Sequence, residues 1–159
     1  MVAGLAGHQR IGPPATIEWL RQQIRATVKN HQVAKGVVSL AIGADQLFAA
    51  VLLELGVPYL VVLPCALYAD TFSKTDLPKY QYFLQRASAI QELPFQKPSE
   101  SAFYEAGKTV VQGSDLIIAV WDGEPSRGLG GTADIVNYAE NIHKPIVHID
   151  PIRFTVQLR

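Results

Sequence analysis

Short apolar runs alternate with helical patterns along the 159 residues, which predicts an α/β fold: a single Rossmann-like, doubly wound, mostly parallel sheet with helices on both faces. Three observations carry this expectation. The run Asp115–Trp121 is apolar after its first residue, as a strand buried on both faces should be. A glycine-rich turn, Gly128-Leu129-Gly130-Gly131-Thr132, follows it and leads into Ala133, Val136, Ala139 and Ile142, spaced three apart as on a helix. Other apolar runs also end in glycine or proline, at Gly7, Gly43 and Pro64.

Taken in order, Val2–Ala6 reads as a short first strand and Gly7-His8-Gln9-Arg10 as its turn. Pro13-Pro14 opens a helix, where proline is tolerated, with Ile17, Leu20, Ile24 and Val28 on one face. Val37–Ala41 is a second strand. Gly43-Ala44-Asp45 turns into a helix carrying Leu47, Phe48, Val51, Leu52 and Leu55, closed by Gly56. Tyr59–Leu63 is a third strand, stopped by Pro64. Residues 65–77 lack periodicity, and a loop of that length in a compact domain is usually functional or mobile. Pro78 starts a helix with Phe83, Leu84, Ala87 and Ile90, and Ala89–Leu93 forms a short fourth strand. A helix through Phe103, Ala106 and Val110 ends at Gly113, and Ile146–Ile149 is the last strand. Residues 1–150 make up the domain and 151–159 a C-terminal tail.

Composition narrows the function classes. Hydrophobic residues make up 48% and charged residues 18%, which suits a globular domain. Fourteen basic residues balance fourteen acidic ones, without the basic stripe that favours phosphate backbones, so nucleic acid is expected to be an unlikely partner. Cys65 is the only cysteine, a small buried filler, and excludes an internal disulfide. No apolar run reaches the roughly 18 residues of a membrane span, and no signal-peptide pattern opens the chain. A cytoplasmic protein without membrane contact is the expectation. No histidine pair has metal-ligand spacing, so neither a metal nor a cofactor is expected.

In an open sheet of this kind ligands sit beyond the carboxyl ends of the strands, where strand order reverses. That rule gathers Gly7, His8, Arg10, Gly43, Ala44, Asp45, Gln46, Pro64, Asp122, Gly123, Arg127, Gly128, Gly130, Gly131 and Thr132 at one edge as ligand-binding candidates. Arg10 and Arg127 suit a phosphate or carboxylate, and the backbone at Gly130–Thr132 offers N–H groups to the same anion. The bland alternative for His8 and Arg10 is an exposed loop pair. Asp45 is explained equally by the helix dipole and by acceptance of hydrogen bonds from a sugar. Asp134 either caps its own helix or presents a carboxylate to the cleft. Tyr68 and Phe72 either stack on a base or pack the loop onto the body.

These stretches together, Ala6–Arg10, Ile42–Asp45, the Pro64 loop and Val120–Gly123 leading to Gly128–Asp134, resemble the SLOG superfamily over nearly the whole chain. That superfamily unites Rossmann-like nucleotide-binding domains, among them the Lonely Guy phosphoribohydrolases and the DNA-processing DprA/Smf proteins. The resemblance implies a bound nucleotide or nucleotide-derived small molecule and a homodimer or higher homo-oligomer. The apolar Phe103, Tyr104 and Val110–Val111 point to self-association too. Lonely Guy enzymes carry Pro-Gly-Gly-x-Gly-Thr-x-x-Glu. Aligned on Thr132, their glutamate falls on Ile135, and Asp134 lies one residue earlier, about 100° around the helix. Two function classes follow. One is an N-glycosidic hydrolase of the phosphoribohydrolase type, with Asp134 or Asp45 stabilising an oxocarbenium-like sugar. The other is a nucleotide sensor without chemistry.

Overall fold

A computed structural model describes residues 1–126 and 128–159. Its central strands are β1 (Val2–Gly7) and β5 (Leu116–Val120). All five β5 residues are buried, and they divide by parity. Leu116, Ile118 and Val120 pack with Leu20, Ile24, Phe48 and Leu52, whereas Ile117 and Ala119 pack with Val111, Val136 and Ala139. Alternating side chains of one strand thus enter two cores on opposite faces, which is why the run shows no polar interruption.

The helices that cover these faces are α1 (Pro14–Asn30), α2 (Ala44–Glu54) and α3 (Leu77–Gln85) on one side, and α4 (Glu100–Gln112) and α5 (Thr132–Asn141) on the other. The remaining strands are β2 (Lys35–Val38), β3 (Tyr59–Leu63), β4 (Ala89–Glu92), β6 (Ile146–Asp150) and β7 (Thr155–Leu158). The spatial order is β4-β3-β2-β1-β5-β6-β7. Every neighbouring pair is parallel except β6–β7. The chain winds outward from β1 to β4 and then returns to the other side of β1, so strand order reverses between β1 and β5. Gly7 is paired with Val120, which puts the carboxyl ends of those two strands side by side.

Three expectations change. The second strand leaves the sheet at Val38 instead of reaching Ala41, because buried Leu40 takes a left-handed φ of +60°, which a ladder does not accommodate. The segment expected as a tail carries β7. Asp150 Oδ1 accepts the N–H groups of Ile152 at 2.8 Å and Arg153 at 3.0 Å, and this turn sends the chain back antiparallel along β6. The apolar girth of α4 is used within the fold. Val110 and Val111 are buried, Tyr104 packs on the α5 core, and Phe103 meets the Tyr68 ring edge-on at 6.4 Å. Of the residues behind the expected self-association, Phe103 alone stays exposed, at 37%. The exposed large apolar side chains include Ile152, Phe154, Val156 and Leu158, around the edge strand.

Candidate functional site

A cleft of about 530 Å³ opens at the carboxyl ends of the strands, over the β1/β5 reversal. Its size lies within the range of small-molecule sites. One wall comes from Gly7, His8 and Gln9, a second from Ser39, Ala41 and Asp45, and a third from Gly128, Gly130, Gly131 and Thr132. The aromatic Tyr68 and Phe72 close it from the long loop, and Phe103, Ala106 and Gly107 of α4 form its side.

The first wall is fixed by backbone bonds. His8 N–H donates to Val120 O at 3.1 Å, and Ala44 N–H donates to His8 O at 3.1 Å. Gly43 makes this docking possible. Its φ is +86°, and a Cβ there would run into the Gln9 carbonyl. The His8 ring is held at both nitrogens. Nε2 lies 3.0 Å from Asp122 Oδ1 and 3.2 Å from Asp122 N, and it cannot donate to one while accepting from the other. The shorter contact, to a carboxylate, assigns the proton to Nε2. Nδ1 is then the acceptor for Thr132 Oγ1 at 3.4 Å, a long bond. Burial pushes the Asp122 carboxyl up, but the Glu124 N–H and the His8 ring together hold it below the ordinary range. Asp122 thus positions His8 and does not itself line the cleft.

The second wall ends in Asp45, in the first turn of α2 and 8% exposed. Its Oδ2 accepts the Ala41 N–H at 3.0 Å. Gln46 Nε2 donates to Leu40 O at 3.2 Å, supporting the left-handed turn that aims this N–H. Burial raises the Asp45 pKa from 3.8 to about 7, against the downward pull of the Ala41 and Ser39 N–H groups. No cation pairs with it among the described residues.

The glycine turn is shaped by α4 and by Asp134. Gly130 has a φ of +89°, and a Cβ on it would stand 2.9 Å from the Tyr104 backbone nitrogen. Asp134 Oδ2 accepts the Gly130 N–H at 3.0 Å, and Asp134 N–H donates to Ser126 Oγ at 3.2 Å. Asp134 therefore caps its own turn and is not among the cleft-lining residues, so its carboxylate does not stand where hydrolysis would need it. Ile135 does line the cleft. Gly131 differs from expectation too. Its φ is −69°, and its absent side chain would point at Ser126 Oγ, 2.6 Å away, not at a ligand. Thr132 begins α5, and neither its N–H nor that of Gly131 is bonded among the described residues.

Of the ligand-binding candidates, Gly7, His8, Asp45, Pro64, Gly128, Gly130, Gly131 and Thr132 line this cleft. Arg10, Gly43 and Gln46 instead line a separate cavity of about 510 Å³ on the α1–α3 side. Ala44 is buried beneath Gly7, where it excludes a side chain: a Cβ on Gly7 would lie 2.5 Å from that of Ala44. Gly123 lies on the exposed loop beside Arg153, whose Nη1 donates to Asp122 O at 3.0 Å. Arg127 lies outside the described residues. Tyr68 and Phe72 pack the long loop onto the body and also line the cleft. Phe72 stacks on Tyr80 at 4.3 Å and Tyr68 meets Tyr80 edge-on at 5.6 Å, while both rings also face the cleft. The α4 wall escaped the sequence reading. Its one signal is Gly107 inside a helix, where a glycine costs stability unless something needs the space; here the Ile135 side chain fills it.

No protein-family model matches the chain, and no curated protein sequence does. Solved structures share its fold. DNA processing protein A from Helicobacter pylori, described for its single-stranded DNA binding mode, is 19% identical with a TM-score of 0.69, covering 96% of this chain and 70% of that one. DNA processing protein A from Streptococcus pneumoniae is 14% identical with a TM-score of 0.67, over 92% of this chain and 49% of its own, so this chain spans about half of that protein. The molybdenum cofactor carrier protein from Chlamydomonas reinhardtii is 15% identical with a TM-score of 0.59, over 92% and 74%. The Rossmann-like fold anticipated from the motifs is the fold these structures share with the chain. One expectation is overturned. Balanced net charge does not make nucleic acid an unlikely partner, because the same fold occurs in a protein that binds single-stranded DNA.

Proposed function

We propose that this domain binds a nucleotide or nucleotide-derived small molecule in the cleft over the β1/β5 reversal, as a binding module without chemistry of its own. One observation carries this reading: one nucleotide-sized cleft offers, on one wall, N–H groups of Gly131 and Thr132 that are unbonded among the described residues and, on another, a buried carboxyl at Asp45. The first suits the anionic end of a ligand and the second its hydrogen-bond-donating end. The alternative, N-glycosidic hydrolysis, is disfavoured because Ile135 occupies the α5 position of the Lonely Guy glutamate and Asp134 is spent on its own turn. A thermal-shift panel of nucleotides, NAD and ADP-ribose tests the proposal, followed by chromatography for released base. A ligand at a hundred times its Kd should add about 2.7 kcal/mol, hence a rise of several degrees. No rise with any member refutes the reading, and released base moves it to hydrolysis.

A second reading is favoured by the similarity to the Helicobacter protein: the same cleft takes one nucleotide unit of a single strand. An oligonucleotide that is displaced by the best mononucleotide supports it.

A further inference from the structure

Asp45 and Tyr68 share the inner end of the cleft, and neither is used in holding the fold together by an ion pair. Tyr68 is 5% exposed and close enough to Asp45 for that carboxylate to push the phenol upward, after burial itself. Every fully buried side-chain nitrogen and oxygen among the described residues has a partner. The Tyr68 hydroxyl has none among the described residues, so it is not fully enclosed, and Tyr68 lines the cleft. This end of the site therefore presents one donor beside a carboxyl with accepting capacity to spare. A carboxylate has about four acceptor positions, of which the Ala41 and Ser39 N–H groups take two. Among the described lining residues there is no lysine or arginine to neutralise it.

Resting on the nucleotide reading above, we propose that the inner end of the cleft selects a 2-amino-4-oxopyrimidine ring edge, the edge common to guanine and to pterins. Asp45 accepts the two adjacent N–H groups of that edge, and Tyr68 donates to the carbonyl next to them. The donor–acceptor order of the pocket is the complement of that edge. An adenine edge offers one donor and one ring acceptor, and it suits only the protonated carboxyl. Sugar hydroxyls, the other donors a nucleotide carries, would make the identity of the base irrelevant.

The ionisable side chains around Asp45 are Tyr68, which lines the cleft with it, Cys65 and Tyr80 beside Tyr68, and His8 and Asp76 elsewhere in the lining; burial raises Tyr68, Cys65 and Tyr80. His8 is tied to Asp122, and Asp45 is the carboxyl that burial raises to about 7. Protonation of Asp45 below about pH 7 thus removes the acceptor that the edge needs.

The test measures dissociation constants of GMP, IMP, AMP and a phosphorylated pterin by calorimetry between pH 6 and 8. IMP lacks the 2-amino group, so GMP should bind roughly ten- to a hundredfold more tightly at pH 8. The GMP-to-AMP ratio cancels the second ionisation of the phosphate near pH 6, and it should fall by up to about tenfold per unit below pH 7. Asp45→Asn should abolish both the preference and the pH dependence without any loss of melting temperature. Tyr68→Phe should weaken GMP several-fold and leave the pH dependence in place. Equal affinity for GMP, IMP and AMP overturns the subsite and leaves the nucleotide reading standing. Binding of the pterin but not of GMP keeps the edge and removes the nucleotide. Binding of none of the four removes both.

Discussion

Asp45 and Asp134 each stand in the first turn of a helix, where a carboxylate is favoured by the dipole, yet they have opposite surroundings. Asp134 is half-buried and spends its carboxylate on the Gly130 N–H. Asp45 sits 8% exposed with two backbone N–H groups and, among the described residues, no cation. From the sequence the two were equivalent, since both follow a glycine and precede a helix. What separates them is where the third dimension puts the nearest free N–H, and no local pattern encodes that. Stability should report the difference. The folded-state pKa of Asp45, about 7, lies above its ordinary value of 3.8, so the native state holds the proton more tightly than the unfolded chain. That contribution is full at about pH 4 and is lost as pH rises toward 7, at roughly 1.4 kcal/mol per unit of displacement. Asp45→Asn should therefore match the parent near pH 4 and melt higher at pH 8. Asp122 and Asp150 act in the opposite sense. Both are held below the carboxylate range, and they stabilise the fold above it. A parent that melts higher than Asp45→Asn at pH 8 would contradict the buried, unpaired carboxyl.

At the level of elements, β5 and the glycine turn were legible because each obeys a local rule: a doubly buried strand is apolar throughout, and a turn before a helix uses glycine. The use of those glycines was not legible. The sequence suggested room for a ligand, whereas the turn lies on the first turns of α4. This makes the two neighbouring glycines unequal. Gly130→Ala imposes a left-handed φ on a residue with a Cβ and drives that atom into the Tyr104 backbone, at a cost of about 1–3 kcal/mol. Gly131→Ala keeps an ordinary φ but sets its methyl 2.6 Å from Ser126 Oγ and 2.8 Å from Ser126 Cβ, so the Ser126 segment must shift and its bond to the Asp134 N–H weakens, for about 1 kcal/mol. Melting temperatures of the two variants should rank Gly130→Ala well below Gly131→Ala. An inverted ranking would mean that the turn does not pack on α4 as described. The edge strand β7 was missed for a related reason. Its four residues are all exposed, so no buried face stamped a pattern on them, and it is held mainly by the Asp150 turn and by the ladder to β6.

For the whole molecule, the strand-end rule located the cleft from topology alone, because a doubly wound sheet has one place where two adjacent strands diverge. Net charge was the poorer guide. A formal charge of zero describes the entire surface, whereas recognition at this cleft depends on the few groups that line it. Those groups are backbone N–H donors, one tethered histidine, Asp45, Asp76 and aromatic rings, with no lysine or arginine among the described lining residues. Such a lining would hold a single-stranded oligonucleotide by capturing one nucleotide unit and stacking on it, not by neutralising a run of phosphates. The consequence is measurable. A protein that neutralises many phosphates loses affinity steeply as salt rises, with a log–log slope of about −0.7 per phosphate on single strands. For a short oligonucleotide bound through this cleft the slope should lie near −1, and a saturating mononucleotide should compete it off. A slope of about −4 or steeper, with no competition, would place the strand on another surface, and the second cavity beside Arg10 and Lys79 would be the place to look next.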